Sequence, residues 1–262
     1  MHYLHEGRGA PPLFFVHGYC CEHGDWAPQL EHFRATHEIV ACDLRGHGRT
    51  PGRPEECTIE TFGGDVAALA TNLGLRGVVL VGHSMGCRVV LEAARLMPEG
   101  VAGIVLVDGS RFASGDPEAA AAAARAAIER DGYAAFAATL FGEMFVPGSV
   151  RAKEILARVD ARAPDVGAAL WPRSAAWDAG KLEAALDAVR SPVLAIQSTT
   201  RDPTTLRRTS LKPGETSPWL KLLRKKLGRL PVEVIPGVGH FTQLDAPERV
   251  NTLIREFAAG CR

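Results

Sequence analysis

One serine stands between two glycines in Gly82-His83-Ser84-Met85-Gly86, directly after the aliphatic run GVVLV. The pattern is G-x-S-x-G. At a sharp strand-to-helix turn it exposes the serine hydroxyl, and the flanking glycines let strand and helix approach closely. A neutral hydroxyl is a poor nucleophile and needs a base to take its proton. His240, in the tight stretch Gly237-Val238-Gly239-His240-Phe241, is the candidate base. The imidazole in turn needs a buried carboxylate to fix its tautomer and stabilise its protonated form. Asp108 in IVLVDGS and Asp202 in STTRDP both follow strand-like runs and can supply it; Asp25 and Asp43 are weaker candidates. Negative charge that develops on a substrate oxygen needs preorganised donors. The amides of Met85, just after the serine, and Tyr19, in the loop His17-Gly18-Tyr19, are placed to act as an oxyanion hole. Trp26, Trp171 and Trp177 are candidate walls of a substrate cleft, although each serves equally well as core.

These residues need elements to hold them. Short apolar runs at 12–18, 38–43, 77–82, 101–110, 191–198 and 230–237 read as strands. Stretches 59–75, 84–96 and 246–260 carry helical apolar spacing. Strands this apolar are buried on both faces, and their alternation with helices predicts parallel pairing in a doubly wound α/β sheet. The segment 112–190 breaks the alternation: it is alanine-rich and helix-favouring, with Tyr133, Phe136, Leu140, Phe141 and Phe145 as apolar anchors. It is expected to be a helical cap, which leaves 1–111 and 191–262 as the core.

Thirty basic residues balance thirty acidic ones. That balance gives no reason to expect nucleic acid or an anionic membrane as partner, so a small-molecule substrate is expected. The oligomeric state is not legible. No apolar run approaches the ~18 residues of a membrane span, and MHYLHEGRGAPP has no signal-peptide core. A cytoplasmic protein is expected. The six cysteines form no C-x-x-C pair and read as reduced packing residues. No metal-binding cluster is visible, and the glycine-rich stretch RGHGRTPG lacks both the P-loop lysine and the G-x-G-x-x-G pattern. Neither a metal nor a cofactor is expected. His47 and His83 read as bracing residues, and the basic stretch 221–229 as a solvated helix face.

Taken in order, HG at 17–18, DLRGHG at 43–48, GHSMG at 82–86 and GVGHF at 237–241 resemble the α/β-hydrolase fold over essentially the whole chain. The resemblance implies a mostly parallel doubly wound sheet with the helical cap inserted after the sixth strand. The family ordinarily begins with a β-hairpin; only MHYLHEG precedes the first HG strand here, so a strand is expected to be missing. HGYCCEHGDW, LWPRSAAW, the IQS strand and GHFTQLDAPERV are further similar to the subgroup containing cofactor-independent dioxygenases of N-heteroaromatic rings. That subgroup implies Asp108 rather than Asp202 as the acid.

The expectation is a serine hydrolase that cleaves a small carboxylic ester, or a related lactone, thioester or C–C bond, through an acyl-enzyme on Ser84. The alternative is a cofactor-independent dioxygenase of a hydroxylated heteroaromatic ring that uses the His240–Asp108 pair. Against it, the subgroup implies a histidine directly after the serine, where this chain has Met85. A non-catalytic binding protein on the same fold is a third reading.

Overall fold

A computed structural model describes residues 1–160, 164–202 and 207–261. The chain opens with β1 (Tyr3–Glu6) and β2 (Leu13–Val16), then α1 (Ala27–Phe33), β3 (Ile39–Cys42), α2 (Ile59–Asn72), β4 (Val78–His83), α3 (Met85–Leu96) and β5 (Val101–Val107). Five helices follow: α4 (Pro117–Asp131), α5 (Tyr133–Gly142), α6 (Val150–Asp160), α7 (Pro164–Gly180) and α8 (Leu182–Asp187). The chain then returns through β6 (Val193–Gln197), a hairpin of β7 (Thr199–Arg201) and β8 (Arg208–Ser210), α9 (Pro218–Leu227), β9 (Val232–Val234), α10 (Thr242–Asp245) and α11 (Pro247–Gly260).

The sheet order is β1-β3-β2-β4-β5-β6-β9. Only β1 runs antiparallel. Every residue of β2, β3, β4 and β6 is buried, as expected of strands covered on both faces. Side chains alternate between two cores. Phe14, Val16, Leu80 and Leu106 pack with α2, α3, α9 and the helices after β5. Leu13, Phe15, Val79 and Val105 pack with α1 and α11 on the other face. Each such side chain contributes about 1.5–3 kcal/mol by leaving water, and a one-residue slip would exchange the two sets.

One expectation is met and one needs correction. A single strand, not a hairpin, precedes β2: Tyr3–Glu6 pairs in register with Cys42–Ile39 at the sheet edge, so one strand of the opening hairpin is missing. The helical segment follows the fifth strand of this chain, not the sixth, because a single strand precedes β2. The basic stretch 221–229 lies largely on α9, which buries Trp219, Leu220, Leu222 and Leu223 and leaves Lys221 and Arg224 exposed. All six cysteines are buried and free. No helix among the described residues is long and apolar enough to cross a membrane.

Candidate active site

Ser84 sits in the turn between β4 and α3 with φ 55 and ψ −114, a region that residues with a Cβ rarely occupy. Hydrogen bonds impose it: the Ser84 amide donates to Val107 O at 2.9 Å, and the Cys87 amide donates to Ser84 O at 3.1 Å. The flanking glycines are required by contact. A Cβ on Gly82 would lie 2.4 Å from Gly86 O, and one on Gly86 would lie 2.4 Å from Val16 O. Met85 opens α3, so its amide belongs to the first turn, which has no intrahelical acceptor.

His240 lies in the loop between β9 and α10 and is 1% exposed. Its Nε2 is 2.8 Å from Ser84 Oγ and its Nδ1 is 2.6 Å from Asp108 Oδ2. With Nδ1–H donating to the carboxylate, Nε2 is left to accept from the serine hydroxyl. The loop is fastened on several sides. The His240 amide donates to Met144 O, the His83 ring donates through Nε2 to His240 O, Ser198 Oγ donates to Gly239 O, and the Gly239 amide donates to Asp245. Burial lowers the His240 pKa from its ordinary value, and the Arg208 cation lowers it further; the hydrogen bond that His240 donates to Asp108 acts in the opposite sense.

Asp108 stands immediately after β5, fully buried, with φ 44. Its Oδ1 accepts from the Ser198 and Thr199 amides at 2.8 Å each and from Gln197 Nε2 at 2.9 Å. Its Oδ2 accepts from Thr199 Oγ1 at 2.5 Å and from His240, with Arg208 Nη1 at 3.5 Å. Burial alone would raise its pKa. The His240 hydrogen bond, the nearby cations and the Thr199 hydroxyl outweigh that and leave it lowered, so the carboxylate stays ionised.

The residues expected to act together therefore divide. Ser84, His240 and Asp108 form one hydrogen-bonded chain. Asp202 is exposed beside the β7–β8 hairpin, where its amide donates to Arg207 O, and the carboxylate on His240 Nδ1 belongs to Asp108. Asp25 binds Arg158 and the Glu22 amide, and Asp43 braces His2, His23 and the Arg49 amide. Tyr19 and Met85 both line the cavity at Ser84. So does Trp171, stacked on Phe112 with centroids 4.6 Å apart and planes at 3°. Neither of the other two tryptophans lines this cavity. Trp26 packs on Phe15 and His83 in the core beneath α1 and α11, and Trp177 is buried in the other core and borders a separate groove with Thr58, Glu60 and Pro117.

Sequence reasoning reads Arg201 and Arg208 as surface salt-bridge partners of Asp202 and gives Arg88 no role; the fold turns them inward. Arg88, Arg201 and Arg208 all line the Ser84 cavity. Arg88 binds Asp178 through two contacts of 2.6 and 2.7 Å, both side chains buried. Arg201 and Arg208 are paired across the hairpin register, which puts their side chains on one face of it.

His2, His23 and Asp43 bring one ligand atom each within 4.8 Å of one another, the one such group among the described residues. Both histidine Nδ1 atoms are engaged with Asp43, and the group fits a brace for the loops after β2 and β3.

A family profile described as "Alpha/beta hydrolase family" matches residues 13–253. Over 102 residues the chain is 39% identical to a non-heme chloroperoxidase of Streptomyces lividans and 38% identical to a bifunctional esterase/perhydrolase of Acinetobacter calcoaceticus. Each match covers 38% of this chain and 37% of the relative, so the chain matches little more than a third of either protein's length. A solved thermophilic esterase from Thermogutta terrifontis superposes with a TM-score of 0.77 at 26% identity, covering 99% of this chain and 93% of that one.

Proposed function

The chain belongs to the α/β-hydrolase family, and from that premise we propose that it is a serine hydrolase cleaving a small carboxylic ester, or a related lactone, thioester or C–C bond, through an acyl-enzyme on Ser84. The observation that carries the reading is the continuous contact from Ser84 Oγ through the His240 ring to Asp108, 2.8 and 2.6 Å long. Esterases among its relatives support an ester as the substrate.

Ser84 Oγ attacks the carbonyl carbon as its proton passes to His240 Nε2. The ionised Asp108 steadies the imidazolium without taking its proton. The Tyr19 and Met85 amides receive the oxyanion. Collapse breaks the bond to the leaving alcohol, which takes the proton from His240. Water then attacks the acyl-enzyme, gives its proton to His240, and releases the acid as the serine is reprotonated. The helices after β5 act as a cap: Leu140 and Trp171 close the cavity above Ser84. The dioxygenase alternative uses the His240–Asp108 pair but gives the contact with Ser84 no task.

The test is hydrolysis of a short-chain aryl ester series by the wild type beside Ser84→Ala. Activity that vanishes with the hydroxyl supports the reading. A folded wild type that turns over no ester overturns it, and oxygen uptake with a hydroxyquinolone becomes the next assay.

A further inference from the structure

Tyr19 and Cys20 are the central residues of a turn closed by the Cys21 amide, which donates to Gly18 O at 3.3 Å. Cys20 takes φ 54 there, at a position where turns of this kind favour glycine. A residue with a Cβ stays in that region only where its surroundings hold it. Both side chains of the turn are buried, Tyr19 at 5% exposure and Cys20 at 3%. Both meet the same group. Tyr133, the first residue of α5, brings its hydroxyl to 3.1 Å from Tyr19 Oη and 3.4 Å from Cys20 Sγ.

Proton accounting gives these contacts a direction. Tyr19 has one hydroxyl proton, and it goes to Gly167 O of α7 at 2.7 Å, because a carbonyl can only accept. Tyr133 therefore donates to Tyr19, and the Cys20 thiol donates to Tyr133. Burial raises the Tyr19 pKa well above its ordinary value, so that proton stays in place. The helices leave room for the Tyr133 oxygen at one point. A Cβ on Gly167 would lie 1.8 Å from it, so only glycine permits the approach. The Tyr19 ring is further held by Trp171, edge-on at 5.4 Å, and by Phe141, stacked at 6.3 Å.

We infer that Tyr133 is a positioning residue for the oxyanion hole: its hydroxyl fixes the Tyr19–Cys20 turn, and with it the direction of the Tyr19 amide. The inference rests on Ser84 being the nucleophile and the Tyr19 amide an oxyanion donor. A donor stabilises the oxyanion only if it already points to where that oxygen will be. The Met85 amide is aimed by the first turn of α3, whereas the Tyr19 amide is carried by a turn and needs an outside tie. Tyr133 does not line the Ser84 cavity and acts through Tyr19, which does.

The test compares Tyr133→Phe, which removes the hydroxyl and keeps the ring, with Arg173→Met, which unties α7 from Pro54 and Cys57. Hydrolysis of p-nitrophenyl acetate gives kcat and KM. Inhibition by butylboronic acid, whose tetrahedral adduct on Ser84 places an oxygen in the hole, reads the donors directly. Tyr133→Phe is expected to lower kcat by roughly ten- to hundredfold with KM within about twofold, because the oxyanion exists only in the transition state, and to weaken the boronic acid by at least about tenfold. Arg173→Met keeps kcat within about threefold. Unchanged kcat in Tyr133→Phe, a loss seen in KM alone, unchanged boronic acid inhibition, or equal losses in the two variants overturns the inference and leaves the serine hydrolase standing. A folded wild type without ester turnover overturns the hydrolase reading itself, and the inference with it.

Discussion

All six residues of β4 and six of the seven in β5 are buried, whereas α4, fifteen residues long, buries only Ala121 and Ile128. The strand ends carry Ser84 and Asp108, and the helices after β5 reach the Ser84 cavity through Leu140 of α5 and Trp171 and Ser174 of α7. The strand ends place their residues through backbone hydrogen bonds: the Ser84 amide to Val107 O, the Asp108 amide to Ile196 O, and the Ser198 and Thr199 amides to the Asp108 carboxylate. The helical roof is tied on largely by side chains. Tyr19 Oη donates to Gly167 O at 2.7 Å, Arg158 pairs with Glu22 and Asp25, and Arg173 donates to the carbonyls of Pro54 and Cys57. A backbone scaffold tolerates side-chain change and keeps its geometry; a roof tied by side chains changes shape when they change. On the proposed reading, reaction chemistry belongs to the first region and substrate choice to the second.

The largest effects belong to the strand ends. Ser84→Ala is expected to lower kcat for ester hydrolysis by roughly 10⁴-fold or more, with Tm close to wild type, since the hydroxyl is not part of the scaffold. Next comes the acid. Asp108→Asn cuts kcat by about 10⁴-fold, while Asp202→Asn, at an exposed site, changes it by no more than about threefold. Steady-state kinetics of the two variants side by side decide it, and equal losses would break the assignment of the acid to β5.

Two tryptophans sharpen the contrast between scaffold and roof. Trp26 is fully buried on the far face of the sheet, so Trp26→Ala should cost about 3–5 kcal/mol in denaturant unfolding, with the ester preference of the folded enzyme kept. Trp171 separates the Ser84 cavity from the groove along α4. Trp171→Ala joins the two spaces, and the preferred acyl length should rise by about two carbons or more, read from kcat/KM along an ester series. An unchanged length optimum would mean that the roof does not set the fit.

The same division explains what the sequence made legible. The central strands are continuous apolar runs, and the elbow and histidine loops are short motifs bounded by glycine, so local pattern suffices. Strand β1 has no such pattern: YLHE buries none of its residues fully and exists because the β3 edge offers it partners. Arg201 and Arg208 lie in RDPTTLRR, which reads as a solvated loop. Their inward face is set by a cross-strand register that no local spacing encodes. Trp177 follows Trp171 by six residues, a rotation of about 240° on a helix, so only one of the two can face Ser84. Trp26 lies close in sequence to the Tyr19 loop, but the helical turn at His23–Trp26 carries it to the opposite core.

The smallest predicted effect is also the one that couples the two regions. Neutral His240 is the competent base, and protonation at low pH removes it. Because burial and Arg208 lower its pKa from the ordinary 6.5, the active form persists below that value, and the acid limb of kcat/KM should fall on the acidic side of 6.5. Arg208→Met takes away one of the cations that disfavour imidazolium. His240 then gains its proton at higher pH, and the acid limb moves upward by roughly half a unit to one unit. Arg173→Met removes a cation that ties the roof down but is not among the groups that shift His240, so its limb stays where the wild type has it. If both variants moved the limb alike, the cause would be loosening of the roof and entry of water at His240, not the charge of Arg208. If only Arg208→Met moved it, the hairpin would be shown to tune the base on the strand side while forming part of the cavity on the other.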